Sequence, residues 1–299
     1  MKKHLLAFAV AALATGGAFA QASDTIAKVK ASGTITMGVR DSSGALAFTL
    51  GDGKYTGFHY DVCQHIIANL EKVVGKKLDI KYQLVTSQNR IPLVQNGTVD
   101  LECGSTTNNA TRQKDVAFAN TVYVEEVRIA VKANSGITSI AQLNGKNVAT
   151  TTGTTSVQLL RKNERATGVD FKEVFGKDHA DSFLLLESGR ADAFVMDGQI
   201  LAGNISTSKN PADFKIVGEV LSVEPIAIML RKDDPAFKKL ADDTIASMVK
   251  TGEMAKLYDK WFMQPIPPKN VKVGLPASDA TKAAWANLND KPAEDYAKK

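Results

Sequence analysis

Short runs of β-branched and apolar residues alternate with segments of helical spacing along most of the chain, and no other feature limits the fold as much. The run 34–39 reads as a strand, followed by a Gly-rich loop to Gly57. Val62, Ile66, Ile67 and Leu70 then recur on one helix face until Gly75 stops it. A strand over 78–85, a short helix "QNRIPLVQNG" closed by Gly97 and a strand over 99–103 come next. A second series starts at 147–151, with strands at 171–174, 193–197 and 215–217, and helices at 154–162 and in "HADSFLLLESGR". Repeated strand–helix units predict an α/β architecture of mostly parallel sheets flanked by helices.

Extended segments near 128–132 and 226–230 join the two series. The expected organisation is two lobes with two hinge crossovers, lobe 1 from 21–130 and 228–299 and lobe 2 from 131–227. Amphipathic helices over 234–251 and 253–261 return to lobe 1 and stop at "QPIPPKN", because successive prolines cannot continue a helix. The polar tail from Ala277 reads as a peripheral helix or partly disordered chain. Ligands in such folds sit outside the carboxyl ends of strands, often between lobes.

Residues 1–20 place Lys2 and Lys3 before an apolar stretch and end on Ala18-Phe19-Ala20. That order reads as an export signal cleaved near Ala20, with a mature chain in the periplasm. The apolar run is short for a membrane span. Without Lys2 and Lys3 the chain carries 35 basic against 32 acidic side chains, net +3. This mixed surplus weakly favours anionic ligands and gives no argument for nucleic acid. Cys63 and Cys103 both lie in apolar contexts, in a compartment where disulfides persist, and the sequence leaves their pairing open. There is no CxxC, no zinc-type spacing, and in the mature chain only His59, His65 and His179, so no metal or other cofactor is expected.

Polar residues gather at the predicted carboxyl ends of strands: Arg40, Ser87, Ser105, Thr106 and Thr107 in lobe 1, and Gly153, Thr154, Thr155 and Asp197 in lobe 2. Each alone has an ordinary explanation. Ser, Thr and Asp after a strand cap helices, and Arg40 or Arg90 would commonly pair on the surface. Grouped, they suit an amino acid. An α-carboxylate asks for a guanidinium and the free N–H groups of a helix start. Arg112 follows the hydroxyls of "STTNNATR", and "GTTS" offers such N–H groups opposite. An α-ammonium asks for a buried carboxylate and neutral acceptors, and Asp197 with the backbone carbonyl of Ser105 would serve.

The segments "GSTTNNATRQKDVAFA", "GTTSVQLL", "LLLESGRADAFVMD" and "KLYDKWF" resemble the extracellular solute-binding proteins of polar amino-acid ABC transporters, over about residues 26–270. The resemblance implies a type II periplasmic binding fold, closing as a monomer on one amino acid and delivering it to a membrane permease. "TSQNRIPLVQNGT", "ECGSTTNN", "KDHADSF" and "PIPPKN" are similar to the glutamate/aspartate-binding branch. By that resemblance Arg112, Thr107 and Thr155 take the α-carboxylate, Asp197 the ammonium, and Arg40, Ser87, Arg90 and His179 the side-chain end. Cys63 departs from the pattern, so no disulfide is carried over.

Basic groups shut into a cleft need negative charge, since an unpaired buried charge costs several kcal/mol. L-Glutamate or L-aspartate would supply it, and a ligand carboxylate would favour a protonated His179. Glutamine, basic amino acids and cystine are the rival ligands. An enzyme on the same fold is the rival class, although no GxSxG elbow, HExxH or Walker loop occurs. A sensor working through a membrane partner is another.

Overall fold

The computed structural model describes residues 24–296, so the export signal inferred for 1–20 lies outside the described residues. Two five-stranded sheets form the cores of two lobes. In lobe 1, Asp79–Leu84, Thr34–Val39 and Leu101–Glu102 run parallel, and Met229–Arg231 and Val116–Phe118 join as antiparallel neighbours. In lobe 2, Lys172–Gly176, Asn147–Thr151 and Ala193–Asp197 run parallel, followed by antiparallel Tyr123–Lys132 and Phe214–Ile226. The sheets are parallel where strand–helix units succeed one another and antiparallel where the hinge strands enter.

The helix Phe58–Val74 buries Val62, Ile66, Ile67 and Leu70 on one face, as the spacing predicts, and ends on left-handed Gly75. It packs in the lobe 1 core with Phe237, Ala241, Ile245 and Met248, which share one face of the helix Pro235–Lys250. Each of the Val, Leu, Ile, Phe and Met side chains contributes about 1.5–3 kcal/mol on full burial. The same helix carries Cys63, which forms a disulfide with Cys103 at 2.07 Å. The pairing left open by the sequence is thereby settled. One turn earlier, His59 Nδ1 lies 2.6 Å from the carbonyl of Gly104. The helix thus holds residues 103–104 at two points, just where the polar stretch begins.

Tyr123–Lys132 and Phe214–Ile226 lie side by side and cross between the lobes together. Tyr123 and Ile226 belong to the lobe 1 core, whereas Val127, Ile129 and Val131 belong to that of lobe 2. Packing therefore passes from one lobe to the other between Tyr123 and Val127. Tyr123 is anchored by stacking on Phe262, ring centroids 5.3 Å apart and planes nearly parallel at 9°.

Two parts differ from the sequence expectation. Residues 41–57 are not one loop; they hold the short strands Ser42–Ser43, Ala47–Gly51 and Lys54–Thr56. A helix Gly198–Thr207, unmarked by the apolar pattern, follows Asp197 without a break. Of the two alternatives for the tail, the helix is the one found through residue 296: in Asp279–Ala286, Trp285 Nε1 donates to Val122 O at 2.8 Å. Further on, Asn108 Nδ2 donates to Asp290 O at 2.8 Å and Ala293 N to Asn108 O at 2.9 Å. The tail is held because it satisfies backbone groups at the hinge and behind residues 105–112.

Candidate ligand-binding cleft

The carboxyl ends of both sheets face one another across a small cavity. Ser87, Arg90, Ser105 and Thr107 line it from lobe 1, and Thr154, Thr155, His179, Met196 and Asp197 from lobe 2. Gly153 brings the lobes this close. Its φ is +81°, and a Cβ there would lie 2.7 Å from Gln88 Cα and 2.8 Å from Ser87 O. Arg40, Arg112 and Thr106 are buried beside the cavity rather than on its wall. Thr106 turns its hydroxyl to Glu102 Oε2 at 2.6 Å.

The guanidinium groups of Arg40, Arg90 and Arg112 are all buried. Arg112 Nη1 donates to Thr107 O at 2.8 Å, and Nη2 reaches across the cleft to Gly153 O at 3.4 Å. Arg90 Nη1 donates to Ser105 O at 3.2 Å. Arg40 Nη2 lies 3.1 Å from Ser87 Oγ, 2.6 Å from Asp178 Oδ1 and 3.1 Å from His179 Nε2. Arg40 Nε, Arg40 Nη1 and Arg90 Nε have no hydrogen-bond partner among the described residues. Burial, then Arg112, lowers Arg90 to about 9, with Glu102 opposing.

His179 Nδ1 lies 3.0 Å from Thr151 Oγ1. Guanidinium has only donors, so the Arg40 contact requires a lone pair on Nε2. The ring is then neutral with its proton on Nδ1, which donates to Thr151. Burial, then Arg40, pushes the His179 pKa down to about 3. His179 is thus an acceptor for Arg40; the protonated ring expected from sequence is tied to a ligand carboxylate beside it.

The opposite pole is acidic. Asp197 ends the strand Ala193–Asp197 as N-cap of Gly198–Thr207, and its side chain makes no cap bond there. Burial first, then Glu224, pushes its carboxyl up to about 7, against the pull of Arg90 and Arg112. Sequence reasoning missed the partners Glu102, Asp178 and Glu224. Asp178 adjoins His179 in the quoted "KDHADSF", whereas Glu224 lies on the hinge strand with no motif around it. The cationic groups are therefore partly compensated from within the protein: Asp178 faces Arg40, Glu102 faces Arg90 and Glu224 faces Arg112.

Other contacts bind lobe to lobe around the cavity. Ser42 Oγ donates to Asp178 Oδ2 at 2.8 Å and accepts from Ala180 N at 3.1 Å. Gln199 Oε1 accepts from Ala45 N at 3.1 Å, while its Nε2 donates to Ser43 O at 3.2 Å. Both patches connect the 42–45 segment to helix N-termini of lobe 2. The geometry defines a two-lobed α/β binding protein with its lobes drawn together over a site poor in apolar contacts and rich in charge.

Residues 35–264 match the family model described as bacterial extracellular solute-binding proteins, family 3, and the chain belongs to that family. It is similar to the glutamate/aspartate import solute-binding protein of Escherichia coli K12, 44% identical over 95% of this chain and 97% of that one. A second relative is the L-glutamate/L-aspartate-binding protein of Pseudomonas aeruginosa, 44% identical over 90% of each chain. Among solved structures, an ancestral arginine-binding protein bound to glutamine superposes with a TM-score of 0.69 at 30% identity, covering 77% of this chain and 98% of that one.

Proposed function

We propose that this chain is an exported, non-catalytic binding protein that captures L-glutamate or L-aspartate between its lobes and delivers it to the permease of an ABC transporter. The observation that carries this reading is the pairing of poles. Buried guanidinium N–H groups of Arg40 and Arg90 with no acceptor among the described residues stand at one end, and the buried carboxyl of Asp197 at the other. An α-amino dicarboxylate satisfies both. Its α-carboxylate meets Arg112 and the N–H of Thr155, the first residue of the helix Thr155–Thr167 and so a donor with no partner inside it. Its second carboxylate meets Ser87 and Arg90 on the wall, with Arg40 buried behind them. Glutamine leaves the guanidinium groups with a neutral partner. The relatives named for glutamate and aspartate support the same ligand class.

Binding rather than catalysis fits the state of the titratable groups. The one histidine on the cavity is neutral and engaged on both ring nitrogens, and so is no general base near neutral pH. Thermal melting tests the reading: glutamate and aspartate raise the melting temperature by linkage, lysine and arginine do not. An equal rise with lysine would overturn the acidic ligand.

A further inference from the structure

Glu224 sits near the end of the returning hinge strand Phe214–Ile226 and is 5% exposed. Its Oε2 accepts from Thr107 Oγ1 of lobe 1 at 2.6 Å and from Thr155 Oγ1 of lobe 2 at 2.8 Å. Its Oε1 accepts from Ser222 Oγ at 2.8 Å. Thr107 and Thr155 line the cavity on opposite lobes, whereas Glu224 stands behind them. A hydroxyl has one proton, and once that proton is given to Glu224 only lone pairs remain for the cavity.

We propose that Glu224 is a positioning residue: by taking one hydroxyl proton from each lobe, it turns Thr107 and Thr155 into acceptors for the ligand's ammonium and stabilises the closed cleft. This rests on the reading that the cleft takes an α-amino acid. It revises the roles of the two threonines, whose backbone N–H groups suit a carboxylate but whose hydroxyls, held this way, do not. It also explains why an acid lies so close to Asp197: two negative groups together favour one positive group between the lobes. Because the shared acceptor needs both threonines at once, opening the cleft breaks at least one bond to Glu224.

Asp197 is the reporter. Besides Glu224, it is faced by Arg90, Arg112, the buried Glu125 and Tyr123, and Glu224 is its strongest charged neighbour. Ammonium binding needs Asp197 ionised, so affinity falls on the acid side of its titration. Removing the charge of Glu224 moves that acid limb to lower pH, which a loss of packing alone does not do.

The experiment is titration calorimetry with glutamate and stopped-flow dissociation for wild type and Glu224→Gln, from about pH 5 to 9. Glu224→Gln is expected to bind at least about ten-fold more weakly at neutral pH, the loss of a charge-assisted hydrogen bond. The loss should appear in faster dissociation, with the acid limb shifted downward. Unchanged affinity, or weaker binding with an unmoved limb, overturns the proposal. Thr107→Val and Thr155→Val provide a second route if Glu224→Gln folds poorly. Each should speed dissociation, and the pair together should cost less than the two separate losses combined, because they share one acceptor. Fully independent losses overturn it. Aspartate, glutamine and arginine are run on wild type: if another amino acid binds instead, only the ligand assignment fails and the series is repeated with that one. Binding of no amino acid sinks both readings.

Discussion

Arg40 Nη2 of lobe 1 and Asp178 Oδ1 of lobe 2 meet at 2.6 Å, a guanidinium–carboxylate contact that spans the cleft. Burial is the largest influence and raises the Asp178 carboxyl, but Arg40, His179 and Ser42 together outweigh it and hold the pKa down at about 2. A depressed carboxylate supports the folded, closed state above its unfolded pKa and loses that support as pH falls toward the folded value. The pair is therefore intact throughout the neutral range and contributes no pH sensitivity there. Asp178→Ala would leave the buried Arg40 with only Ser87 and His179 as hydrogen-bond partners. It should speed ligand dissociation at least about ten-fold, measured by stopped-flow fluorescence. An unchanged dissociation rate would show that the contact does not secure closure.

The arginines divide the ligand between them. Arg112→Ala should abolish measurable binding of every amino acid, since it removes the guanidinium proposed for the shared α-carboxylate. Arg90→Ala should instead narrow the preference for glutamate over glutamine by roughly ten-fold or more, because it removes a donor from the end proposed for the ligand's side chain. A calorimetric panel on both variants distinguishes them. Unchanged selectivity in Arg90→Ala would mean that the side-chain pocket lies elsewhere.

Affinity in the wild type should be level on the alkaline side of about pH 7 and fall on the acid side. The free Asp197 carboxyl sits at about 7, and an ammonium beside it lowers that value. Protonated Asp197 must then lose its proton on binding, so between the two values affinity drops up to ten-fold for each pH unit. Calorimetry in buffers of different ionisation enthalpy should detect proton release near neutrality. Proton uptake would contradict the assignment.

Much of the fold was legible because burial and spacing coincide: the face of Phe58–Val74, the glycine stops and the strand runs all follow local rules. The helix Gly198–Thr207 was not, since "GQILAGNIST" carries two glycines and β-branched residues and has no clean apolar stripe. In the site, residues next to strand ends announced themselves: Ser87, Ser105, Thr155 and Asp197 follow or close apolar runs. Glu102, Asp178 and Glu224 did not, because their meaning lies in partners across the fold. Glu224 meets Thr107 from 117 positions away, and nothing local in "SVEPIA" distinguishes it from any strand residue. For the same reason the sequence overstated the positive charge of the cleft: it counted arginines and had no view of the acids packed against them.

The Cys63–Cys103 bridge ties the helix Phe58–Val74 to the start of the polar stretch. Replacing both cysteines by alanine should cost roughly 2–4 kcal/mol of stability, read from chemical denaturation. Affinity should fall as well, because Gly104 and Ser105 follow directly. A variant as stable and as tight as wild type would show that His59 and the surrounding core hold this segment without the bridge.

The central claim is that two opposed poles select an acidic amino acid. Titration calorimetry of the mature wild-type chain with glutamate, aspartate, glutamine, lysine and arginine at neutral pH tests it most directly. One ligand per chain for glutamate and aspartate, with glutamine far weaker and no heat from lysine or arginine, is the expected result. Tight binding of lysine or arginine, or glutamine bound as well as glutamate, would contradict it.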